Sequence, residues 1–571
     1  MEIWRVNVRE KTLKRDATPE SWENLGGRGL IARILVDEVP PTCYPLGSMN
    51  KLIFAPGLLV GHMLSSCDRI SVGAKSPLTG GIKESNAGGR TGLQLTYLNI
   101  KALILEDKPD DTGWSILHLN GDGARFEPAD DLVGKGVYET AQILHQRFGP
   151  KVAMALIGPG GEMGLAAAGI QNVDKDRVPS RINARGGLGA VMGCKRIKAI
   201  VIDASGGAKP PIADLKTFRK AQKIFNQALS ESPVVESYGL YGTAAMSMLT
   251  NTLGGLPTLN FSQGEFSGVS TISGEYMRDL LLRRGGESQT THACMAGCTI
   301  RCSNVFGGED GKAIVSPLEY ETIGLMGANL GIDSLDTIAR MNYQVNDLGL
   351  DTIEIGAALG VACEAGLMQF GDGERSLELL DEIRNGTPLG RILGNGAGAT
   401  GRIFGVEKVP VVKNQAISAY DPRAIKGTGV TYATSPQGAD HTCGLTIRFK
   451  IDHRNPDGQV DLSRTVQINN AGYDTLGACI FSGFGFSAVP ESVRDLLNAR
   501  YGMNVGTDIL QILGRETLAL ERKFNRLAGF TPADDRLPEW MTREQLPPTG
   551  AVFDVPTEEM DRIFTSLERD D

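Results

Sequence analysis

The sequence predicts an α/β N-terminal domain with β-sheets, followed by two mostly α-helical domains. Three observations predict it: short apolar runs between glycine-rich turns up to about residue 208, long helical periodicity beyond it, and two breaks in composition. The runs at 51–55, 102–105, 152–157 and 197–202 have the length and content of buried strands. Gly206-Gly-Ala-Lys-Pro-Pro211 then reads as a linker. Helical patterns follow at 335–348 and 352–368. A second break at Val406-Glu-Lys-Val-Pro410 precedes another helical part that ends in an acidic tail. The expected domains are therefore 1–208, 209–408 and 409–571, in keeping with a chain too long for one hydrophobic core.

Composition narrows the function classes. With 58 basic and 67 acidic residues the net charge is −9, and no long basic stripe marks a nucleic-acid partner. No apolar run approaches the roughly 18 residues of a membrane span. The charged N-terminus lacks the apolar core of a secretory signal. A cytoplasmic location is expected, with the 9 cysteines held as thiols or metal ligands rather than disulfides.

The densest chemical signal is His292-Ala-Cys-Met-Ala-Gly-Cys-Thr-Ile-Arg-Cys302. Thiolates at Cys294, Cys298 and Cys302 suit zinc or an iron–sulfur cluster, and a cubane takes four cysteines, so a fourth would come from elsewhere. From spacing alone a cluster, structural zinc and buried thiols all stay open.

Glycine supplies 72 of 571 residues, close to double the roughly 7% of average usage. Three blocks pair it with cations: Leu25-Gly-Gly-Arg-Gly-Leu30, the stretch from Arg69 to Gly92, and Arg181 to Lys195. Exposed amides beside Arg and Lys suit phosphate and polar heterocycles, although none carries a dinucleotide or P-loop fingerprint. There is also an internal echo. Asn346-Asp-Leu-Gly-Leu-Asp351 resembles Asp474-Thr-Leu-Gly-Ala-Cys479, each with a polar residue three before a glycine and a polar or thiol group two after it. Two helix C-caps explain this; so do paired loops around a pseudo-symmetric ligand.

Lys75-Ser-Pro-Leu-Thr-Gly-Gly81, Ser85-Asn-Ala-Gly-Gly89, Arg185-Gly-Gly-Leu-Gly-Ala-Val-Met-Gly193, Glu319-Tyr-Glu321, Ala419-Tyr-Asp-Pro-Arg423 and the segment Asp474 to Cys479 occur here in one order. In this the chain resembles the aldehyde:ferredoxin oxidoreductase family over nearly its whole length. The resemblance implies that family's fold, with an N-terminal cofactor-binding domain. It also implies a tungsten (or molybdenum) bis-pyranopterin, a 4Fe-4S cluster, and Mg2+ bridging the pterin phosphates. Arg69 would lie between cofactor and cluster, and Asn86 with the backbone at Arg181 and Ile182 would hold the phosphates and magnesium. Lys75, Ala87, Gly88, Gly89, Arg185, Gly186 and Gly187 would complete the binding blocks. One echo motif, through Asn346, Leu350 and Asp351, would grip one pterin; the other, through Asp474, Gly477 and Ala478, would grip the second. Cys294, Cys298, Cys302 and Cys479 would ligate the cluster.

The chain departs from the family pattern at three places. Thr291 stands where the first cysteine is usual, with Cys302 appearing downstream, and Asn346 replaces an aspartate. Arg340 and Tyr343 replace an iron-binding Glu and His, so a bridging iron between subunits is not expected, and a homo-oligomer stays open.

By the same resemblance Glu321 would activate water, with Glu319 as its neighbour on the turn, and His441 would hydrogen-bond the substrate oxygen. A small aldehyde would become an acid, with electrons leaving through the cluster to ferredoxin or a ferredoxin-like subunit. His292 has a structural reading or one of tuning the cluster. Rival readings are a related enzyme reducing an aromatic acyl-CoA, a non-catalytic electron-transfer subunit, and a zinc-stabilised binding protein.

Overall fold

The computed structural model describes residues 1–567. Its first part is built twice from one plan. In the first half β1 (Glu2–Asn7) and β2 (Thr12–Ala17) form a hairpin, followed by α1 (Gly27–Glu38). The meander β3 (Leu52–Pro56), β4 (Ile70–Lys75) and β5 (Ile82–Ala87) comes next, then α2 (Thr91–Tyr97) and β6 (Ile100–Glu106). The second half repeats this with β7 (Ser115–Asn120), β8 (Gly123–Pro128), α3 (Val137–Phe148), β9 (Ala153–Leu156), β10 (Ile170–Val173), β11 (Pro179–Asn183), α4 (Leu188–Cys194) and β12 (Ile197–Ile202).

The two six-stranded sheets have matching orders, β2-β1-β6-β3-β4-β5 and β8-β7-β12-β9-β10-β11. In each, one inner pair, β1 with β6 and β7 with β12, is parallel: Ile3 opposite Ala102, and Val201 opposite His118. All other pairs are antiparallel.

Burial explains which strands announce themselves. β3, β9 and β12 are wholly buried and β6 nearly so, as expected where both sheet faces are covered. The outer strand β2, Thr-Leu-Lys-Arg-Asp-Ala, is mostly exposed, and such charge on an edge blunts pairing with other chains. The other outer edges, β5 and β11, are brought together: Asn183 Nδ2 donates to the Ser85 carbonyl at 2.6 Å and the Ile70 carbonyl at 3.3 Å.

The helical parts follow. They include α5 (Leu215–Ser230), α6 (Tyr320–Met326), α7 (Leu335–Leu348), α8 (Thr352–Glu364), α9 (Lys426–Thr434), α10 (Gln459–Leu476), α11 (Gly483–Ala488) and α12 (Ile509–Leu527). The helix from 352 stops at Glu364, short of the expected 368. Gly366 enters the left-handed region (φ 73°) and its N–H bonds the Cys363 carbonyl, which closes the last turn. A three-stranded sheet, β13 (Gln289–His292), β14 (Ser303–Gly307) and β15 (Ala313–Val315), lies within this helical stretch and was not foreseen.

The internal echo now acquires a structural meaning. Gly349 and Gly477 are both left-handed C-caps, of α7 and α10. Each echo loop also docks on its own sheet at the equivalent turn after the first strand of the meander. A Cβ on Gly57 would fall 1.9 Å from the Gly477 nitrogen, and one on Gly158 would fall 2.4 Å from the Leu348 carbonyl carbon. The cap reading of the echo holds, and the two loops also occupy equivalent places on the two sheets.

Candidate active site

Two adjoining cavities open where the sheets and the echo loops meet. The larger, about 350 Å³, is lined by Cys294, Cys298, Cys302 and Cys479 together with Arg69, Ala87, Gly88, Arg181, Ile182, Glu321 and His441. The smaller, about 180 Å³, is lined by Arg69, Asn86, Ile182, Arg185, Asp440, His441 and Asp474 among others. Arg69, Ile182 and His441 belong to both walls. The four cysteines come from two distant stretches, and the fourth is fixed by its own backbone: the Cys479 N–H donates to the Ser66 carbonyl at 2.8 Å.

The thiol set is open rather than tight. Among the described residues no three cysteine sulfurs lie within 4.8 Å of one another. A single tetrahedral zinc with ~2.3 Å bonds would hold its sulfurs roughly 3.8 Å apart. Gly88 gives this group room, since a Cβ there would meet the Cys294 sulfur at 3.0 Å. Hydrogen bonds from Cys294, and from Ser66 Oγ at 3.3 Å, draw the Cys298 thiol below its usual range, while sharing that proton and burial push Cys294 up. Arg69 supplies positive charge within electrostatic reach of Cys479, Cys294 and Cys302. A buried cation beside several thiols is the setting that stabilises thiolate ligands.

Opposite the thiols stand Glu321 and His441. Glu321 lies in the first turn of α6, and its Oε2 accepts the Ala419 N–H at 2.8 Å. Its Oε1 is buried without a hydrogen-bond partner and sits 3.4 Å from His441 Nε2, a charge contact rather than a good hydrogen bond. Burial raises the Glu321 carboxyl above its ordinary value, and the neighbouring His441 and Ala419 N–H offset that only in part. His441 Nδ1 lies 3.0 Å from Ser418 Oγ, which also accepts from Arg185 Nη1 at 3.1 Å. The hydroxyl can both accept from arginine and donate to Nδ1, and in that arrangement the ring proton sits on Nε2, the nitrogen facing Glu321.

Sequence reasoning missed Ser418 and the buried Glu354. Glu354 accepts the Ala397 and Ala416 N–H groups at 3.0 and 2.8 Å and so pins the segment that presents Ser418 and Ala419. Nothing in a lone Glu or Ser of an apolar stretch signals such a role.

Other expected site residues are placed differently. Lys75 lines neither cavity; its ammonium is turned to the Pro41 carbonyl. Gly89, Gly186 and Gly187 shape turns in the left-handed region and, like Asn346, Leu350, Asp351, Gly477 and Ala478, line neither cavity. Asp351 caps α8 through the Ile353 N–H at 3.0 Å and pairs with Arg185 at 3.3 Å, so it steadies a lining residue. Asn86 faces the smaller cavity, with its oxygen held by Arg69 Nε.

His292 joins a chain of bonds instead of the cavity wall. Its Nδ1 meets Arg181 Nη2 at 3.0 Å and its Nε2 meets Asp176 at 2.7 Å. Arg181 continues to Ser303 Oγ at 2.8 Å, and that hydroxyl to Glu319 at 3.0 Å. Asp174, Asp176 and His292 bring ligand-type atoms within 4.8 Å. Asp174 is already committed to the N–H groups of Asp176 and Val178 and to Ser180 Oγ. Arg340 pairs with Glu374, and Tyr343 stacks on Tyr138 at 4.9 Å. No helix among the described residues is long and apolar enough to cross a membrane.

Comparison with known proteins agrees with this architecture. Residues 3–204 match the family model described as the N-terminal domain of aldehyde ferredoxin oxidoreductase, and 220–565 match its domains 2 and 3. The chain is 33% identical to the tungsten-containing aldehyde ferredoxin oxidoreductase of Pyrococcus horikoshii, over 96% of this chain and 92% of that one. It is 25% identical to the WOR-like subunit of an aliphatic sulfonate oxidoreductase of Pyrococcus furiosus, over 93% and 85%. Among solved structures, the active site complex BamBC of benzoyl coenzyme A reductase with 1,5-dienoyl-CoA has the same fold. Its TM-score is 0.80 at 21% identity, covering 99% of this chain and 94% of that one. With both family models matched along nearly its full length, the chain belongs to the aldehyde ferredoxin oxidoreductase family.

Proposed function

We propose that this protein is a tungsten-dependent oxidoreductase that converts an aldehyde and water to a carboxylic acid. Electrons would leave through a 4Fe-4S cluster on Cys294, Cys298, Cys302 and Cys479 to ferredoxin or a partner subunit. The observation that carries this reading is the pairing, across one cavity, of four cysteines with a buried carboxylate–imidazole couple, Glu321 and His441. The residues fit the cofactors. The thiols surround a space wider than a single metal ion, and Glu321 Oε1 is a buried acceptor without a donor. The smaller cavity offers Arg185, Asn86, Asp474 and Asp440 to a polar ligand, as phosphate-bearing pterins require. Tungsten analogues enter through the relatives' names, and Mg2+ through the family pattern alone.

A tungsten bispyranopterin, when bound, supplies the two-electron acceptor. The chain's own residues do the rest. Glu321 Oε1 accepts a proton from the attacking water, a task suited to a carboxylate whose basicity burial has raised. His441 donates its Nε2–H to the substrate oxygen, where negative charge develops. Ser418, itself bonded by Arg185, orients the imidazole through Nδ1. Arg69, which lines both cavities, would set positive charge beside a cluster held by those thiols.

Metal analysis of anaerobically purified protein tests the cofactor set: about one tungsten and about four iron per chain are expected, and zinc alone would overturn it. Aldehyde-dependent reduction of a viologen dye tests the chemistry. Inactivity with aldehydes but reduction of benzoyl-CoA by a low-potential donor would favour acyl-CoA reduction, the reading prompted by the fold shared with BamBC.

A further inference from the structure

We propose that the outward face of α5 is a docking surface for a small acidic one-electron carrier protein. The inference rests on electron exit through the cysteine cluster and names the partner that takes those electrons.

The chain is acidic overall, yet the 16 residues of α5 contain four cations and no acid. Lys216, Arg219, Lys220 and Lys223 follow the i, i+3, i+4, i+7 spacing of a single helix face, and all four are exposed. The buried residues Phe218, Ala221, Phe225 and Leu229 occupy the opposite face. Among the described residues, Asp214 caps the helix through the Thr217 N–H at 3.0 Å, and Glu231 follows its end. Among the described residues no ion pair engages the four cations. Lys209 is exposed nearby, close enough to act on His62 and Asp68. Because apolar residues separate the cations, no basic run shows in the sequence; only the helix gathers them.

The back of α5 rests on the segment that follows Cys479 and, through the His62–Met63 turn, reaches the segment of the other three cysteines. Phe218 meets the His62 ring edge-on at 5.1 Å. The next residue, Met63, is 40% exposed, and its carbonyl lies 3.0 Å from where a Cβ on Gly297, the neighbour of Cys298, would stand. Phe225 stacks at 4.2 Å on Phe486 of α11, the helix that follows Cys479. The thiols therefore lie behind a helix that presents a positive face. Leu215 and Ile224, 46% and 41% exposed, add apolar contact within that face. A helix of this length spans roughly 24 Å, in scale with the small interfaces of redox encounters.

Charge complementarity of this kind mainly accelerates encounter and is screened by salt. Each aldehyde oxidised releases two electrons and two protons, so two carriers are reduced in turn, each by one electron, with no bond made or broken at the docking surface. The protons leave from the active site to solvent.

The test uses the holoenzyme and an acidic ferredoxin. The variant K216E/R219E/K220E/K223E should lower the ferredoxin-linked rate by at least ~10-fold and remove its salt dependence. Viologen-linked aldehyde oxidation and the cluster's magnetic resonance signal should persist, which shows that the variant folds. A basic cytochrome as acceptor should be reduced no more slowly than by the unaltered enzyme. Binding of fluorescently labelled ferredoxin, which needs no turnover, should weaken in parallel. If aldehydes reduce neither acceptor, the proposed reaction fails, while the binding measurement still decides the docking surface. A ferredoxin rate and affinity within twofold of the unaltered enzyme would overturn the docking proposal. So would a charge reversal that only dissociates an oligomer of this chain.

Discussion

Replacing Glu321 by glutamine separates its chemical role from its structural one. Glu321 Oε2 accepts the Ala419 N–H at 2.8 Å, and the glutamine amide oxygen can keep that bond with almost no change in volume. Oε1 has no donor in the protein to lose, so the fold and the thiol group should survive. What disappears is the proton acceptor in the cavity. Positioned general bases contribute roughly 100- to 10,000-fold, which corresponds to ~3–5 kcal/mol of transition-state stabilisation. The Glu321→Gln holoenzyme should therefore lose about that much viologen-linked kcat and retain its iron content and cluster signal. Burial raises the Glu321 carboxyl, and the base acts only when ionised. In the unaltered enzyme kcat/KM should therefore rise with pH through a value above that of an ordinary glutamate, and this limb should vanish in the variant. A variant with kcat within threefold of the parent, or one that keeps the acid limb, would refute the role.

Three other perturbations probe the scaffold. Gly57→Ala and Gly158→Ala each force a methyl into the opposing echo loop, so each should give soluble protein with reduced tungsten and pterin content; full loading by elemental and pterin analysis would contradict the docking argument. Arg28 is buried, with 2.8 Å bonds to both Glu521 oxygens and a 3.2 Å contact to Asp474. Arg28→Met should cost about 3–5 kcal/mol by stranding a buried carboxylate, seen as a lowered melting temperature that Arg28→Met/Glu521→Gln partly restores. Cys479→Ala should abolish stable iron incorporation, whereas Cys67→Ala should not. The Cys67 thiol is fully buried and turned to the Ser65 carbonyl at 3.3 Å; equal iron loss in both variants would place Cys67 among the ligands.

How much was legible in the sequence follows from what burial does to a pattern. The four strands read from apolar runs are β3, β6, β9 and β12, the adjacent central pair of each sheet, where both faces are covered and hydrophobicity is continuous. The flanking strands carry residues such as Lys14, Arg15, Arg125 and Glu127, or polar groups turned to the site such as Asn86 and Arg181, and their signal is diluted. The duplication was invisible for the same reason: it resides in connectivity and hydrogen bonding, which two sequences can share without sharing side chains. Its trace survived only where chemistry allows little choice. A glycine must adopt φ near 70° at the end of α7 and of α10, and the loop beyond must fit against a turn that tolerates no Cβ.

That constraint also accounts for the mixed fate of the predicted contacts. The family resemblance assigns whole motifs to the ligand, yet a motif also preserves whatever the local backbone needs. Asp351, Gly186 and Gly477 serve caps and turns, while Arg69, Arg185 and Asp474, from the same blocks, face the cavities. A duplicated pair of sheets brings two edges together at β5 and β11, and each echo loop docks on the turn after the first meander strand of its own sheet. Cys294, Cys298 and Cys302 then arrive from the connection between β13 and β14, Cys479 from the turn after α10, and Glu321 from the start of α6. Ligand-facing and scaffold-facing residues are interleaved one by one along each loop, and only the folded register separates them.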